Sequence, residues 1–245
     1  MPEAAPPTKL AFGVEPSHRR YRLRLARYPA LAAELAAFAD AADPARPLTL
    51  LDAGVGRGRT LRYLEPTGRA ARFRAVGFDL DPHIAERVNA ASRWRLLRAD
   101  LDRPLPFRDA AFDALVCEQV LEHVDHPVAA LREFARCLRA GGLLVVGVPT
   151  FPPGVAALRT LTQPFRGHDA DHAHTHVQSW SARSAAAAVR AAGAFEIGSV
   201  RGFRSASGGV LSPLEDLRAW WRLNAALGRA LPWFCAEVQI VARRR

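Results

Sequence analysis

Short apolar runs and amphipathic stretches alternate along most of this chain. Apolar-rich segments at 48–53, 74–79, 95–99, 113–118 and 143–148 predict buried strands, and 58–64, 82–91 and 127–139 between them carry the spaced apolar positions of helices. This strand–helix rhythm predicts an α/β fold, a parallel sheet with helices on both faces. The third strand reaches the fourth through 101–112, a Pro-containing loop, and Gly141-Gly142 predicts a helix stop after Arg139. Upstream, 1–15 reads as a loose tail. Residues 17–42 read as a helix around Leu23, Leu31, Leu35 and Phe38, which Pro29 is expected to kink or divide. Downstream, 149–178 breaks the rhythm with prolines and a polar, His-rich tract, as a functional lid does. Ser181 is placed to cap a helix ending near Ala192, and Phe195–Val200 and Ala236–Ala242 predict the last two strands. Pro213–Leu231 predicts a helix between those strands. The expected layout is one domain over 1–245: tail and helix 1–45, core 48–150, lid 149–178, and a helical insertion 203–233.

Composition narrows the class without naming it. The chain has 245 residues, 49% hydrophobic, enough for one sizeable core. Its net charge of +10 would suit nucleic acid or an anionic surface, but Lys9 is the one lysine and the arginines are spread from Arg19 to Arg245, which reads as general surface charge. No zinc-finger spacing or aromatic–basic RNA motif accompanies it, so no nucleic-acid partner is expected. Cys117, Cys137 and Cys235 are odd in number and widely spaced, as reduced thiols of a cytoplasmic protein are. No signal-peptide core or uninterrupted membrane-length apolar run is visible.

In an open α/β sheet, ligands meet the carboxyl ends of the strands, so the predicted strand ends form a list of candidate site residues. The first strand ends in Asp52-Ala53-Gly54-Val55-Gly56-Arg57-Gly58, an acid followed by glycines at alternate positions. Glycine permits positive φ and close approach of a ligand to the backbone. The second strand ends at Asp79, followed by Leu80 and Asp81; an acid here is the acceptor that a ribose diol requires. The third ends at Asp100, able to accept from an exocyclic amine, with Leu80 and Leu101 available to cover a base; the fourth ends near Cys117 and Glu118. A dinucleotide fingerprint is GxGxxG with a pyrophosphate on the helix N-terminus. The spacing here is GxGxG after an acid, which disfavours a pyrophosphate and suits a ligand with a cationic amino group. S-adenosylmethionine carries that group, a ribose diol and an adenine.

The segments LLDAGVGRG, VGFDLDP, RADLDRPLPFRDAAFD, LVCEQVLEHV and LREFARCLRAGGLLVVGVPT resemble consecutive motifs of class I S-adenosylmethionine-dependent methyltransferases of the small-molecule type, closely over 48–150 and more loosely over 175–202. The resemblance implies a Rossmann-like seven-stranded sheet with its last strand antiparallel and S-adenosyl-L-methionine as cofactor. It implies Asp52, Gly54, Gly56 and Gly58 beside the methionine moiety, Asp79 on the ribose, and Leu80, Asp100 and Leu101 around the adenine; Glu118, from its place at the end of the fourth strand, is also expected at the cofactor. Asp81 departs from the small polar residue more usual in the family and puts a second acid near the ribose.

The remaining candidates concern the acceptor. His123, after the fourth strand, could deprotonate a substrate hydroxyl or simply anchor its loop. The segment Val120–His123 also resembles one that holds a divalent metal in ubiquinone-biosynthesis O-methyltransferases, but Gln119 stands where an acid is needed and Glu118 is one position off, so no metal is expected. His168, Asp169, Asp171, His172, His174 and His176 read as a polar lid rather than a metal site, with His176 expected to face the substrate. Leu214–Phe234 sets Trp220, Trp221 and several leucines among arginines, a pattern that suits packing on the domain, a homodimer interface, a hydrophobic acceptor or peripheral contact with an anionic membrane. The reading is a cytoplasmic methyltransferase acting on a small-molecule acceptor, with O-methylation favoured. The alternatives are an RNA methyltransferase, against which the missing Asn/Asp-Pro-Pro-Tyr/Phe motif counts, and a non-catalytic cofactor-binding protein of the same fold.

Overall fold

Strand β4, Phe112–Glu118, is buried at every position and occupies the centre of a seven-stranded sheet. The computed structural model describes residues 13–14, 22–81, 83, 94–151 and 177–245. Around β4 lie β1 (Leu48–Ala53), β2 (Phe73–Asp79), β3 (Trp94–Arg98), β5 (Leu138–Pro149), β6 (Phe195–Phe203) and β7 (Glu237–Arg244), in the order β3-β2-β1-β4-β5-β7-β6. Strands β1 to β5 pair in parallel, whereas β7 runs antiparallel to both β5 and β6. This is the Rossmann-like sheet with an antiparallel last strand that the motifs implied.

Side-chain alternation sorts the core into two layers. Leu48, Leu50, Ala114, Val116, Leu143 and Val145 pack under α1 (Arg27–Ala41), α2 (Arg59–Leu64) and Trp221 of α5 (Arg218–Ala230). Their neighbours Leu51, Ala53, Leu115, Cys117, Leu144 and Val146 face α3 (Pro127–Cys137) and α4 (Ala182–Ala191). Ser181 caps α4 as expected, in a reciprocal pair with Ser184 that satisfies two backbone donors.

The structure corrects four sequence expectations. Residues 22–42 do not form one kinked helix. Leu23–Leu25 is a 3₁₀ turn and α1 starts at Arg27, so Pro29 lies in the first turn, where its missing N–H breaks no helical bond. Strand β5 begins at Leu138, so Gly141-Gly142 does not end the preceding helix; it lies in a bulged strand entry between the pairs Phe112–Leu138 and Ala114–Leu143. Strand β6 runs on to Phe203, three residues past the expected end. The insertion is helical but divided into a 3₁₀ segment, Gly209–Asp216, then α5, then a turn at Pro232–Phe234. The tail over 1–12, the expected helix over 82–91, the His-rich tract and His176 lie outside the described residues.

The three cysteines are free and buried, which raises their thiol pKa values. No helix among the described residues is long and apolar enough to cross a membrane.

Candidate functional site

The carboxyl end of β1 turns through Gly54, Gly56 and Gly58, all at positive φ (74°, 53° and 67°). The turn is held against β2: Gly54 and Val55 donate to the Phe78 carbonyl at 2.8 and 3.0 Å. The backbone N–H of Gly56 donates to Asp79 Oδ2 at 3.1 Å, and the N–H of Asp81 donates to Asp79 Oδ1 at 3.2 Å. Of the two acids after β2, Asp79 is thus the one joined to the glycine turn, while the Asp81 carboxylate accepts from the His83 N–H at 2.7 Å. Gly77, inside β2, makes room for this arrangement, since a Cβ there would press on Val55. At Gly54 a Cβ would overlap Val120, whereas the space beside Gly56 is open.

Asp52 lies at the base of the turn and is 3% exposed. Burial pushes its pKa up to about 7; a hydrogen bond from Thr60 on α2 opposes the shift and the nearby Asp79 charge adds to it. No ion pair to the Asp52 carboxylate occurs among the described residues, and a ligand carrying an ammonium or sulfonium would supply a cation there.

The structure brings Asp52, the three glycines and Asp79 together, with Leu80 beside them. Leu80 is 45% exposed, an apolar surface at the end of β2 of the kind an aromatic base covers. Asp100 is half-buried, accepts from the Asp102 N–H at 3.0 Å and lies 3.6 Å from Arg103. Leu101 instead packs into the core beneath α3.

Glu118 is buried at the end of β4 and faces the α1 layer. Gln239 of β7 donates to its Oε1 at 2.6 Å, and Arg27 of α1 lies 3.3 Å from its Oε2. Arg27 also binds Glu237 at 2.9 Å, and Glu237 binds Arg204 at 2.7 Å. Gly147 on β5 leaves the space that the Glu118 carboxylate fills. Burial raises the Glu118 pKa to about 7, with Arg27 and Gln239 opposing.

His123 ends the 3₁₀ turn Leu121–His123 and is half-buried. Its neighbour Glu122 is 2% exposed, has one buried carboxylate oxygen without a hydrogen-bond partner, and has its pKa raised to about 8, chiefly by burial. The Glu122 carbonyl accepts from the N–H groups of Val177 and Gln178, which clips that segment onto this turn. Between β4 and the turn, Gln119 adopts φ 59°, a conformation uncommon for a residue with a side chain.

Sequence reasoning did not select Glu122, Arg27, Glu237 or Gln239. The glycine at 147, inside an apolar strand, is the one local sign that a side chain crosses β5 there. Among the described residues no group of three or more His, Cys, Asp or Glu is arranged to hold a metal ion.

Residues 51–146 match the family model described as a methyltransferase domain. The demethylmenaquinone methyltransferase of Tropheryma whipplei is 35% identical over 103 residues, 40% of this chain and 40% of that protein; the chain matches about two fifths of that relative's length. A chain of the Haloferax volcanii complex containing the Trm112 methyltransferase activator superposes with a TM-score of 0.59 at 21% identity, over 90% of this chain and 91% of that one. The S-adenosylmethionine-dependent methyltransferase of Mesorhizobium loti gives 0.57 at 19% identity, over 87% and 96%. The likeness to solved structures is one of fold, and the likeness in sequence is to a methyltransferase domain, over the glycine turn and the strands around it.

Proposed function

We propose that the protein is an S-adenosylmethionine-dependent methyltransferase acting on a small-molecule acceptor, with oxygen as the atom methylated. The observation that carries this reading is the buried Asp52, without an ion pair among the described residues, beneath a turn of three left-handed glycines, with Asp79 fixed beside it. These residues fit the donor. Asp52 would pair with its amino group and Asp79 would accept from the ribose hydroxyls. Leu80 and Asp100 would border the adenine, while Leu101 lies in the core, and Gly56 leaves room for close approach. Bound there, S-adenosylmethionine supplies an electrophilic methyl group on a sulfonium.

The rest of the work is alignment and proton handling. An acceptor hydroxyl must lose its proton as the new bond forms, and His123 and the buried Glu122 stand at the end of β4, where a proton can be taken up. Glu118 shapes the same end through Arg27 and Gln239. His176 is assigned to the acceptor side. A hydrophobic acceptor, and peripheral contact with an anionic membrane, are supported by Leu217, Leu223, Leu231, Trp233 and Phe234, all exposed on or beside α5.

Calorimetry with the demethylated cofactor, S-adenosylhomocysteine, tests the donor site. Replacing Asp79 by Ala removes two charge-assisted hydrogen bonds and is expected to weaken binding about a hundredfold or more. Unchanged affinity would refute the assignment.

A further inference from the structure

A cleft of about 850 Å³ opens between the start of α1, the end of β6 and one face of α5. Among the described residues five arginines line it, Arg201 and Arg204 from β6 and the residue after it, and Arg218, Arg222 and Arg229 from α5, and no acid does. Arg201 is paired with Glu34 and Arg204 with Glu237. Arg222 and Arg229 are exposed and have no acid partner among the described residues. Pro29 and Trp221 add apolar wall.

The cleft is built rather than incidental. Helix α5 lies so close to β6 that a Cβ on Gly228 would overlap the Gly202 carbonyl. The Asn224 side-chain Oδ1 accepts from Ser205 Oγ and the Ala206 N–H at 2.9 and 3.0 Å, fixing the chain after β6. Glu215, 7% exposed, accepts from the N–H of Leu23 at 2.9 Å and of Gly208 at 2.8 Å, tying the lead-in of α1 to the insertion. The walls are thus cross-linked in advance, which lowers the ordering cost of binding.

The register places the cleft on the same rim as the glycine turn. Gly202 pairs with Val238, which pairs with Val148 at the carboxyl end of β5, and Gly147 of β5 pairs with Glu118. Three strand spacings separate β6 from β4, about 14 Å. The ion pairs Arg204–Glu237 and Arg27–Glu237, with Arg27 beside Glu118, span that gap along the same layer.

We propose that this cleft binds the phosphate or diphosphate group of an elongated acceptor, whose other end reaches the strand-four rim. The choice of phosphate follows from the donor set: several arginines line one cleft, which suits an anion with several charges and oxygens, whereas one carboxylate fills a single fork. The acceptor role rests on the methyltransferase reading above; the anion site itself does not.

Calorimetry with inorganic pyrophosphate and, separately, S-adenosylhomocysteine tests both. The native protein is expected to bind one pyrophosphate, more weakly as salt is raised. Arg222→Ala/Arg229→Ala should weaken this roughly tenfold or more, and Arg222→Lys/Arg229→Lys by less, because lysine keeps the charge without the fork. Affinity for S-adenosylhomocysteine should be unchanged in all three. Equal pyrophosphate binding by native and Ala-substituted protein, or none at millimolar pyrophosphate, overturns the site. Pyrophosphate binding without S-adenosylhomocysteine binding overturns the acceptor role and leaves the site. Sedimentation with phosphatidic acid vesicles, lost in the Ala variant, would identify the phosphate as lipid-borne; pyrophosphate binding without sedimentation would identify it as soluble. Either result supports the cleft.

Discussion

The two ends of β4 each bury an acid, and the two acids live under opposite conditions. At the entry, Asp113 is 3% exposed and saturated: it accepts from the Thr49 N–H at 2.8 Å and Thr49 Oγ1 at 2.9 Å, and pairs with Arg46 at 2.9 Å and Arg139 at 2.8 Å. Burial alone would raise its pKa, but the Thr49 bonds and the two arginines outweigh it and the value falls. At the exit, burial wins. Asp52, Glu118 and Glu122 are held at about 7, 7 and 8, with Arg27 offsetting only part of the Glu118 and Glu122 charge. The difference separates architecture from chemistry. A fold stabilises itself by satisfying its buried charges, and it leaves them short of partners where a ligand is to supply the missing charge.

The contrast breaks if the exit acids prove to be structural. Asp52→Asn keeps the shape and removes the charge. It is expected to weaken S-adenosylhomocysteine binding by at least about tenfold, and toward a hundredfold, since a hydrogen bond to a charged group contributes about 1.5–3 kcal/mol. Its melting temperature should hold or rise, because a buried carboxylate is removed. A variant that loses stability while keeping its affinity would place Asp52 with Asp113.

The entry acid should behave in the reverse sense. Asp113→Ala strands the Thr49 N–H and frees two arginines, each more than a third exposed, so solvent takes up part of the loss. A destabilisation of about 2–3 kcal/mol is expected in urea unfolding, with S-adenosylhomocysteine affinity unchanged. A neutral substitution would show that saturation of this acid contributes little to the fold.

How legible each end was in the sequence follows from the same physics. The glycine turn, Asp52 and Asp79 could be read because their positions are set locally: a strand, a turn that needs positive φ, and one intervening connection. Glu118 could be listed as a strand end, but not assigned its partners. Arg27 is 91 residues away in sequence and Gln239 is 121 away, and they meet Glu118 only because β7 inserts beside β5. Glu122 was visible in the Leu121–Val124 motif, yet its contacts with Val177 and Gln178, more than 50 residues on, were not. Likewise Pro29 looked like a helix breaker because its effect depends on where the helix begins, and α1 begins two residues before it, at Arg27. The arginines of 214–234 could suggest an anionic surface, but not a cleft, since its other wall comes from α1 and β6.

The smallest expected effect is also the one that separates the two ends by pH. Asp52, Glu118 and Glu122 have pKa values raised in the folded state, so between their ordinary range near 4 and their folded values the native protein binds more protons than the unfolded chain. Stability supplied by these groups is therefore fully present below about pH 4 and is lost as pH rises toward 7 and 8. Asp113 has a lowered value, so its contribution is present at neutral pH and is lost only in acid, as pH falls below its ordinary range. Glu122 alone among the three exit acids titrates as high as about 8, so it should dominate the decline between pH 7 and 8. Glu122→Gln removes that proton, and the slope in this interval should flatten by less than the roughly 1.4 kcal/mol per pH unit of one fully linked proton. Urea unfolding of the cofactor-free protein at pH 6, 7 and 8 reads the slope directly. A native protein that gains stability across this range, or a Glu122→Gln variant with the native slope, would mean that the exit of β4 is satisfied in the way its entry is.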